Sequence, residues 1–261
     1  MYRTLTYEIK NRTALITLAR PELMNALDEE SGLELVQALE TAAADRGVRV
    51  VVLTGQGRAF SAGGNVRAMH QFLLDHPGQG AGPFFWRVVD LLNRSVMAIR
   101  QMKKPVVAAV NGVAAGGGLG WVLASDLVVA SPRARFDTAY IRIAVSPDGG
   151  NSFILPRLLG PWRTSELYFL GRSFGAEKAL EWGLVNRLVK EEELLDEALS
   201  LAEELASRSA AALARTKELI NASVYQGLAD HLEKERERII ASADDPDFDQ
   251  AIKAFFNSKS K

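Results

Sequence analysis

Polar and apolar residues alternate over Leu5 to Lys10 and again over Ala14 to Leu18, the period of two that half-buried strands require, with Asn11 and Arg12 turning the chain between them. The period then lengthens. Asp28 is placed to cap a helix in which Leu33, Leu35, Val36 and Leu39 recur at helical spacing. Two unbroken apolar runs, Val48 to Leu53 and Val106 to Val110, are short and rich in β-branched residues, which predicts buried strands. Between them, Phe72 to Trp86 carries His76-Pro77-Gly78, Gly80 and Gly82-Pro83 and predicts a flexible loop, followed by a helix through Val88, Leu91, Leu92 and Val96. From Gly160 the pattern is helical: Arg163 to Leu170, Ala176 to Trp182, Glu191 to Ser207 and Ala210 to Leu228. A last helix opens on Asp244-Asp245-Pro246-Asp247, where acidic residues suit the dipole. The charged run Glu233 to Arg238 alternates in sign and reads as a solvated helix face.

Each buried strand ends in a turn of small residues. After Val110, Asn111-Gly112 breaks the strand, and Gly116-Gly117-Gly118 opens a helix that is apolar all round through Ala124 and so belongs in the core. Glycines at that entrance let a ligand atom approach the first helical amides, which lack intrahelical partners and lie at the positive end of the dipole, so that a negative oxygen is stabilised there. The same glycines would also serve close helix-on-strand packing or a tight turn. After Leu53, the segment Gly57 to Asn65 makes a second such turn. Two strand-end turns, each offering one N–H to the same carbonyl oxygen, are what a two-donor oxyanion hole requires. No GxGxxG threads through Gly116, Gly117, Gly118 and Gly120, and no GK[ST] follows, so a dinucleotide or phosphate loop is not expected.

Composition narrows the classes further. The 261 residues are 48% hydrophobic and 24% charged, enough for one full core. A net charge of −1 gives no reason to expect nucleic acid or a membrane surface as partner. The N-terminal stretch has no apolar signal core, no run approaches the length of a membrane span, and a cytoplasmic address is the expectation. Without cysteine there is no disulfide, thiol nucleophile or thiolate metal site. His70, His76 and His231 show no ligand spacing, so no metal is expected.

The blocks RPELMNAL (Arg20 to Leu27), GRAFSAGGN (Gly57 to Asn65), KPVVAAVNGVAAGGGLG (Lys104 to Gly120) and ASDLVVAS (Ala124 to Ser131) are followed by FDTAYIRIAVSPDGGNSFILPRLLG (Phe136 to Gly160) and LGRSFGAEKALEWGLVNRLV (Leu170 to Val189). In order, and over nearly the whole chain, they resemble the crotonase or enoyl-CoA hydratase/isomerase superfamily. The motifs are nearest to the Δ3,Δ2-enoyl-CoA isomerases and the ring-1,2-epoxyphenylacetyl-CoA isomerases. The resemblance implies an α/β fold: a ClpP-like spiral of ββα units over 1–200 and a C-terminal helical region, 201–261, that trimerises the subunits as a homotrimer or a hexamer. It implies an acyl-CoA thioester as ligand, with coenzyme A part of the substrate and no separate cofactor.

Carried over by position, Gly64 and Gly117 resemble the oxyanion donors for the thioester carbonyl. Ala62, Gly64, Asn65 and Val66 resemble the segment along the adenine and pantetheine arm, with Leu23 and Met24 as the other wall. Asn65 stands where the family usually has aspartate. Phe72, Phe84, Phe85 and Trp86 fall in the region that lines the acyl pocket, Tyr140 is a candidate wall, and the tail around Lys259 or Lys261 falls where the family reaches a neighbour's CoA. The two glutamates with which the family's hydratases activate water correspond to Gly120 and Tyr140, so both carboxylates are missing.

One carboxylate remains. Asp148, in Ser146-Pro147-Asp148-Gly149-Gly150, stands where the isomerases carry their glutamate or aspartate, and a carboxylate there can move a proton from C2 to C4 of a 3-enoyl thioester. Pro-Asp-Gly is equally a type I turn signal. Aligned aspartates are nucleophiles in the 4-chlorobenzoyl-CoA dehalogenase branch, whose preceding tryptophan has no counterpart in Phe136 to Arg142. The expectation is an isomerase. The alternatives are a hydratase whose water is held by other groups, and a non-catalytic acyl-CoA-binding or RNA-binding member of the scaffold.

Overall fold

The computed structural model describes residues 2–258; the proposed tail contact at Lys259 or Lys261 lies outside them. The chain begins as an antiparallel hairpin, β1 (Leu5–Lys10) against β2 (Thr13–Leu18), turned at Asn11 with a φ of 54°. Asparagine tolerates that left-handed conformation. Helix α1 (Glu29–Ala44) follows, and its start is fixed as the sequence suggests: Asp28 Oδ1 accepts from the Ser31 N–H, and Ser31 Oγ accepts from the Asp28 N–H.

Three strand pairs then repeat one plan. They are β3 (Val50–Gly55) with β4 (Ala59–Ser61), β5 (Val106–Val110) with β6 (Val113–Ala115), and β7 (Leu127–Ala130) with β8 (Arg135–Asp137). After β4 come α2 (Val66–Asp75) and α3 (Gly82–Gln101), after β6 comes α4 (Gly117–Ala124), and after β8 a 3-10 turn, Tyr140–Ile143, leads to α5 (Asn151–Leu159). The remaining elements are α6 (Pro161–Phe169), β9 (Ser173–Gly175), α7 (Ala176–Glu181), β10 (Arg187–Leu188), α8 (Leu194–Ser207), α9 (Ala210–Val224), α10 (Leu228–Ala243) and α11 (Pro246–Ser258).

The first strand of each pair joins a sheet of order β1-β2-β3-β5-β7-β10, and the second joins a smaller sheet, β4-β6-β8-β9. Every pairing from β2 to β10 and from β4 to β8 is parallel, so the expected ββα spiral is present. In the large sheet successive side chains serve opposite layers. Val50, Val52, Val107 and Ala109 pack under α8 on Leu194, Ala198 and Leu201, whereas Val51, Leu53, Val106 and Ala108 join the interior cluster. Both faces are therefore covered, which is why these strands are apolar without alternation.

Several boundaries differ from those the sequence predicts. Val48 lies in the turn after α1, its N–H bonded to the Asp45 carbonyl, and β3 runs to Gly55 because its ladder with β2 does. The loop predicted over Phe72 to Trp86 shrinks to 76–81, since α2 continues through Asp75 and α3 already begins at Gly82. The helix predicted over Ala210 to Leu228 is cut by Gly227 at a φ of 84° into α9 and α10. Helix α10 packs along α3, and α11 reaches α2 and the Tyr140–Ile143 turn. Among the described residues no helix is long and apolar enough to cross a membrane.

Candidate active site

The two small-residue turns meet. Gly63 and Gly116 both take positive φ, 79° and 48°, and a Cβ on Gly63 would stand 2.6 Å from the Ala115 carbonyl oxygen and 3.3 Å from the Gly116 Cα. Only backbones without side chains can touch this closely. The contact brings the two following amides together. Leu27 N–H donates to the Gly63 carbonyl at 2.7 Å, and Asn65 N–H donates to the Leu27 carbonyl at 2.8 Å. With its neighbours bonded to Leu27, the Gly64 N–H points the other way, towards the cavity that Gly64 lines. Gly117 is the first residue of α4, so its N–H has no helical partner. Gly64 and Gly117 thus place two donors on one cavity.

That cavity holds about 480 Å3. Leu23, Met24, Ala62, Gly64, Asn65, Val66, Gly117, Tyr140 and Asp148 all line it. Trp86 does not: it is 53% exposed on the outer side of α3, with Arg236 stacked over its ring at 4.2 Å. The lining aromatics of α3 are Phe84 and Phe85, followed by Val88, Val89 and Leu92. Phe72 packs behind Phe84 instead. Asn65 does what a capping aspartate would do, its Oδ1 accepting from the Ala68 N–H at the start of α2 while its Nδ2 reaches Asp28. The departure from the family pattern therefore leaves this loop anchored.

Asp148 is 7% exposed, in a surround that includes Leu92, Tyr140, Ile143 and Val145. Burial pushes its carboxyl up to about 6, against the lowering effect of a hydrogen bond from Tyr140. The Tyr140 hydroxyl donates to Asp148 Oδ1 at 2.8 Å, and burial beside that carboxylate holds the phenol well above its usual range. Tyr140 is more than a wall: it grips the candidate base. Asn151, which the sequence did not single out, completes the arrangement. Its Nδ2 reaches the Tyr140 hydroxyl at 3.0 Å, the Asp148 carbonyl at 2.8 Å and the Gly116 carbonyl at 3.2 Å. One amide group therefore ties the carboxylate loop to the glycine turn. Leu92 packs where Cβ atoms on Gly117 and Gly149 would lie, each 2.9 Å from its Cδ2, and so fills the space between the same two segments.

Position 120 is closed to side chains. A Cβ on Gly120 would lie 2.6 Å from the Gly149 carbonyl oxygen and 3.1 Å from Asn151 Nδ2. The run Glu233 to Arg238 is solvated at Glu233, Lys234, Glu237 and Arg238, as its charges suggest, but Glu235 is 4% exposed and turned into the protein. Its carboxylate accepts from the Gly150 N–H, the Ser152 N–H and the Ser152 hydroxyl. The three histidines lie apart: His70 stacks on Phe256, His76 on Phe72, and His231 bonds the Ser152 hydroxyl. Among the described residues no cluster could hold a metal ion.

Two backbone amides beside a largely apolar cavity with one buried carboxylate make an arrangement that can stabilise an anionic intermediate. Residues 8–261 match the family model for Enoyl-CoA hydratase/isomerase, and the chain belongs to that family, whose members act on acyl-CoA thioesters, within the crotonase superfamily. It is 34% identical over 248 residues to 1,2-epoxyphenylacetyl-CoA isomerase of Escherichia coli K12, covering 94% of this chain and 92% of the relative. It is also 34% identical over 263 residues to 4-chlorobenzoyl coenzyme A dehalogenase-2 of an Arthrobacter species, covering 98% and 91%. The crystal structure of an enoyl-CoA hydratase from Mycobacterium avium subsp. paratuberculosis K-10 superposes with a TM-score of 0.87 at 31% identity, covering 99% of this chain and 97% of that one. Relatives thus carry isomerase, dehalogenase and hydratase names.

Proposed function

We propose that this protein is an acyl-CoA double-bond isomerase in which Asp148 is the one proton carrier. The observation that carries the reading is that, of the two acidic side chains lining the cavity, Glu22 is exposed and Asp148 is buried, bonded through Oδ1 to Tyr140. For a 3-enoyl-CoA, Asp148 removes the C2 proton, the C2–H electrons pass into the thioester carbonyl, and the Gly64 and Gly117 amides stabilise the resulting dienolate. Collapse of the dienolate takes the proton back from Asp148 at C4, and the double bond lies between C2 and C3. Atoms balance with one carboxyl group, and a carboxyl pushed up to about 6 is ionised at neutral pH while remaining a useful acid. An isomerisation of a ring or epoxide thioester would draw on the same carboxylate and the same donors, in keeping with the relative named 1,2-epoxyphenylacetyl-CoA isomerase.

Water addition fits less well. The position at which hydratases of this family carry the first glutamate, Gly120, has no room for any side chain, and the second, Tyr140, bonds Asp148. The direct test is Asp148→Asn with 3-enoyl-CoA and 2-enoyl-CoA substrates, following double-bond position and hydration by NMR. Isomerisation is expected to fall by about a thousandfold with thioester binding retained. Turnover within tenfold of the parent, or rapid hydration of the 2-enoyl substrate by the parent, would overturn the assignment.

A further inference from the structure

Helix α10 caps two helices that build the site. At its end, Asp244 accepts from the Gly82 N–H at 2.7 Å, at the start of α3. Midway along it, Glu235 serves α5: its Oε2 accepts from the Gly150 N–H at 2.7 Å, and its Oε1 from the Ser152 N–H at 2.9 Å and the Ser152 hydroxyl at 2.5 Å. Those donors lie immediately past Asp148. The intervening Gly149 and Gly150 have φ of 63° and 79°, so the loop carries no stiff side chain of its own there. Asn151 N–H closes the turn on the Asp148 carbonyl at 3.2 Å. The placement of Asp148 thus depends on the start of α5, and the start of α5 depends on Glu235.

We propose that Glu235 is a positioning residue for Asp148, holding the loop through the Gly150 and Ser152 donors so that the carboxylate meets the reacting carbon at the right place. The proposal rests on the isomerase reading above. Every chain supplies this clamp to its own site, because α10 packs on its own α3 and α5. The groups that face Glu235 are Asp148, Tyr140 and Tyr168 across the cavity wall and His231 on its own helix, at 3.9 Å. Arg157 and Lys234 act in turn on that imidazole. Burial pushes Glu235 up to about 7, and the Asp148 charge adds to the rise. The Asp148 charge is the smallest of these influences on Glu235, so the two residues are linked through the loop that Glu235 holds.

The test compares full-length Glu235→Gln and Ser152→Ala with the parent and with Asp148→Asn. It measures turnover of a 3-enoyl-CoA and, without substrate, the 13C NMR titration of Asp148, assigned from its absence in Asp148→Asn. For Glu235→Gln the expected result is a kcat lower by about tenfold or more with KM changed by less than about threefold, as for a misplaced catalytic group. The Asp148 signal should titrate away from its parental midpoint, because the loop that holds its carboxylate against Tyr140 is loosened. Ser152→Ala, which removes one of the three donors, should lower kcat in the same direction by about threefold. A folded Glu235→Gln protein with parental kcat and a parental Asp148 titration overturns the proposal, even if its Tm is lower. If that variant is not recovered folded, parental kcat and titration in Ser152→Ala overturn it. Parental turnover in Asp148→Asn would overturn the isomerase reading instead, and the titration would still judge Glu235.

Discussion

The two halves of the site are made in opposite ways. The half proposed as the oxyanion hole offers backbone groups: Gly63, Gly64, Gly116 and Gly117 supply amides and close approach, with Ser61 and Asn151 bonded to that backbone. The half proposed for proton transfer is made of side chains, with Tyr140, the Asp148–Asn151 turn and Glu235 drawn from three segments of the chain. The first half tolerates change in everything except glycine and the peptide N–H. The second half can be tuned by single substitutions, because each member sets the position or the charge of another. A family that keeps the donors and exchanges the side-chain half can change its reaction without changing its fold, in line with the isomerase, dehalogenase and hydratase names among relatives.

The sharpest way to break this contrast is to delete a donor without touching a side-chain partner. Proline is tolerated at the first position of a helix, and Gly116 ahead of it has a conformation, φ 48° and ψ −124°, outside the helical region that proline disfavours. Leu92 occupies the space a ring at position 117 needs, so the comparison is Gly117→Pro/Leu92→Ala against Leu92→Ala alone. Loss of one oxyanion donor should lower kcat by about a hundredfold to a thousandfold, with the pH profile unmoved. A loss under fivefold, measured on folded protein, would remove Gly117 from the mechanism.

A smaller effect, with the opposite signature, is expected in the side-chain half. In the parent, kcat/KM should fall tenfold per unit below about pH 6, as Asp148 becomes protonated. Tyr140→Phe removes a donor that favours the charged carboxylate, so this acid limb should move up by about one unit, and the rate at pH 6 should drop by roughly fivefold. An unmoved limb would mean that the hydroxyl serves packing alone.

The smallest effect is on stability. A carboxyl whose folded value lies above its unfolded value of about 4 binds its proton more tightly in the native state, so the Asp148 share of stability falls as pH rises from about 4 to about 6 and is level above that. Asp148→Asn should abolish this share and leave the fall due to Glu235, which continues to about pH 7. At pH 8 its Tm should exceed the parent's by about 5 °C, corresponding to at most about 3 kcal/mol, and at pH 4 the two should coincide. Differential scanning calorimetry at the two pH values checks the sign. A variant less stable than the parent at pH 8 would mean that burial does not strain the charged form.

The same division explains what the sequence discloses. Glycine spacing at the two strand ends is local, so the two turns are legible from the order of residues alone, as are the hairpin, the Asp28 cap and the buried strands, whereas the choice of Gly64 and Gly117 within the turns comes from the resemblance to the family. The two sheets are less so, because β4, β6 and β8 are three residues each and no periodicity can declare them. Asp148 emerges only when the family's other carboxylate positions are seen to be empty. Asn151 and Glu235 leave no signal: one is an ordinary polar residue at a helix start, and the other sits in a run of mixed charge that resembles solvent-facing sequence until the fold turns one member inward. Trp86 misleads for the converse reason, since it sits next to two lining phenylalanines but projects one position round the helix, outwards.

Phe255 and Phe256, in α11, line the same cavity as Leu23 and Met24, so the pocket is sealed by segments far apart in the order of synthesis. On the ribosome the glycine turns and the base loop emerge well before α10 and α11. A nascent chain can therefore own its chemical groups while lacking the helices that shelter and align them. The cavity wall is therefore complete only once α11 has emerged and docked.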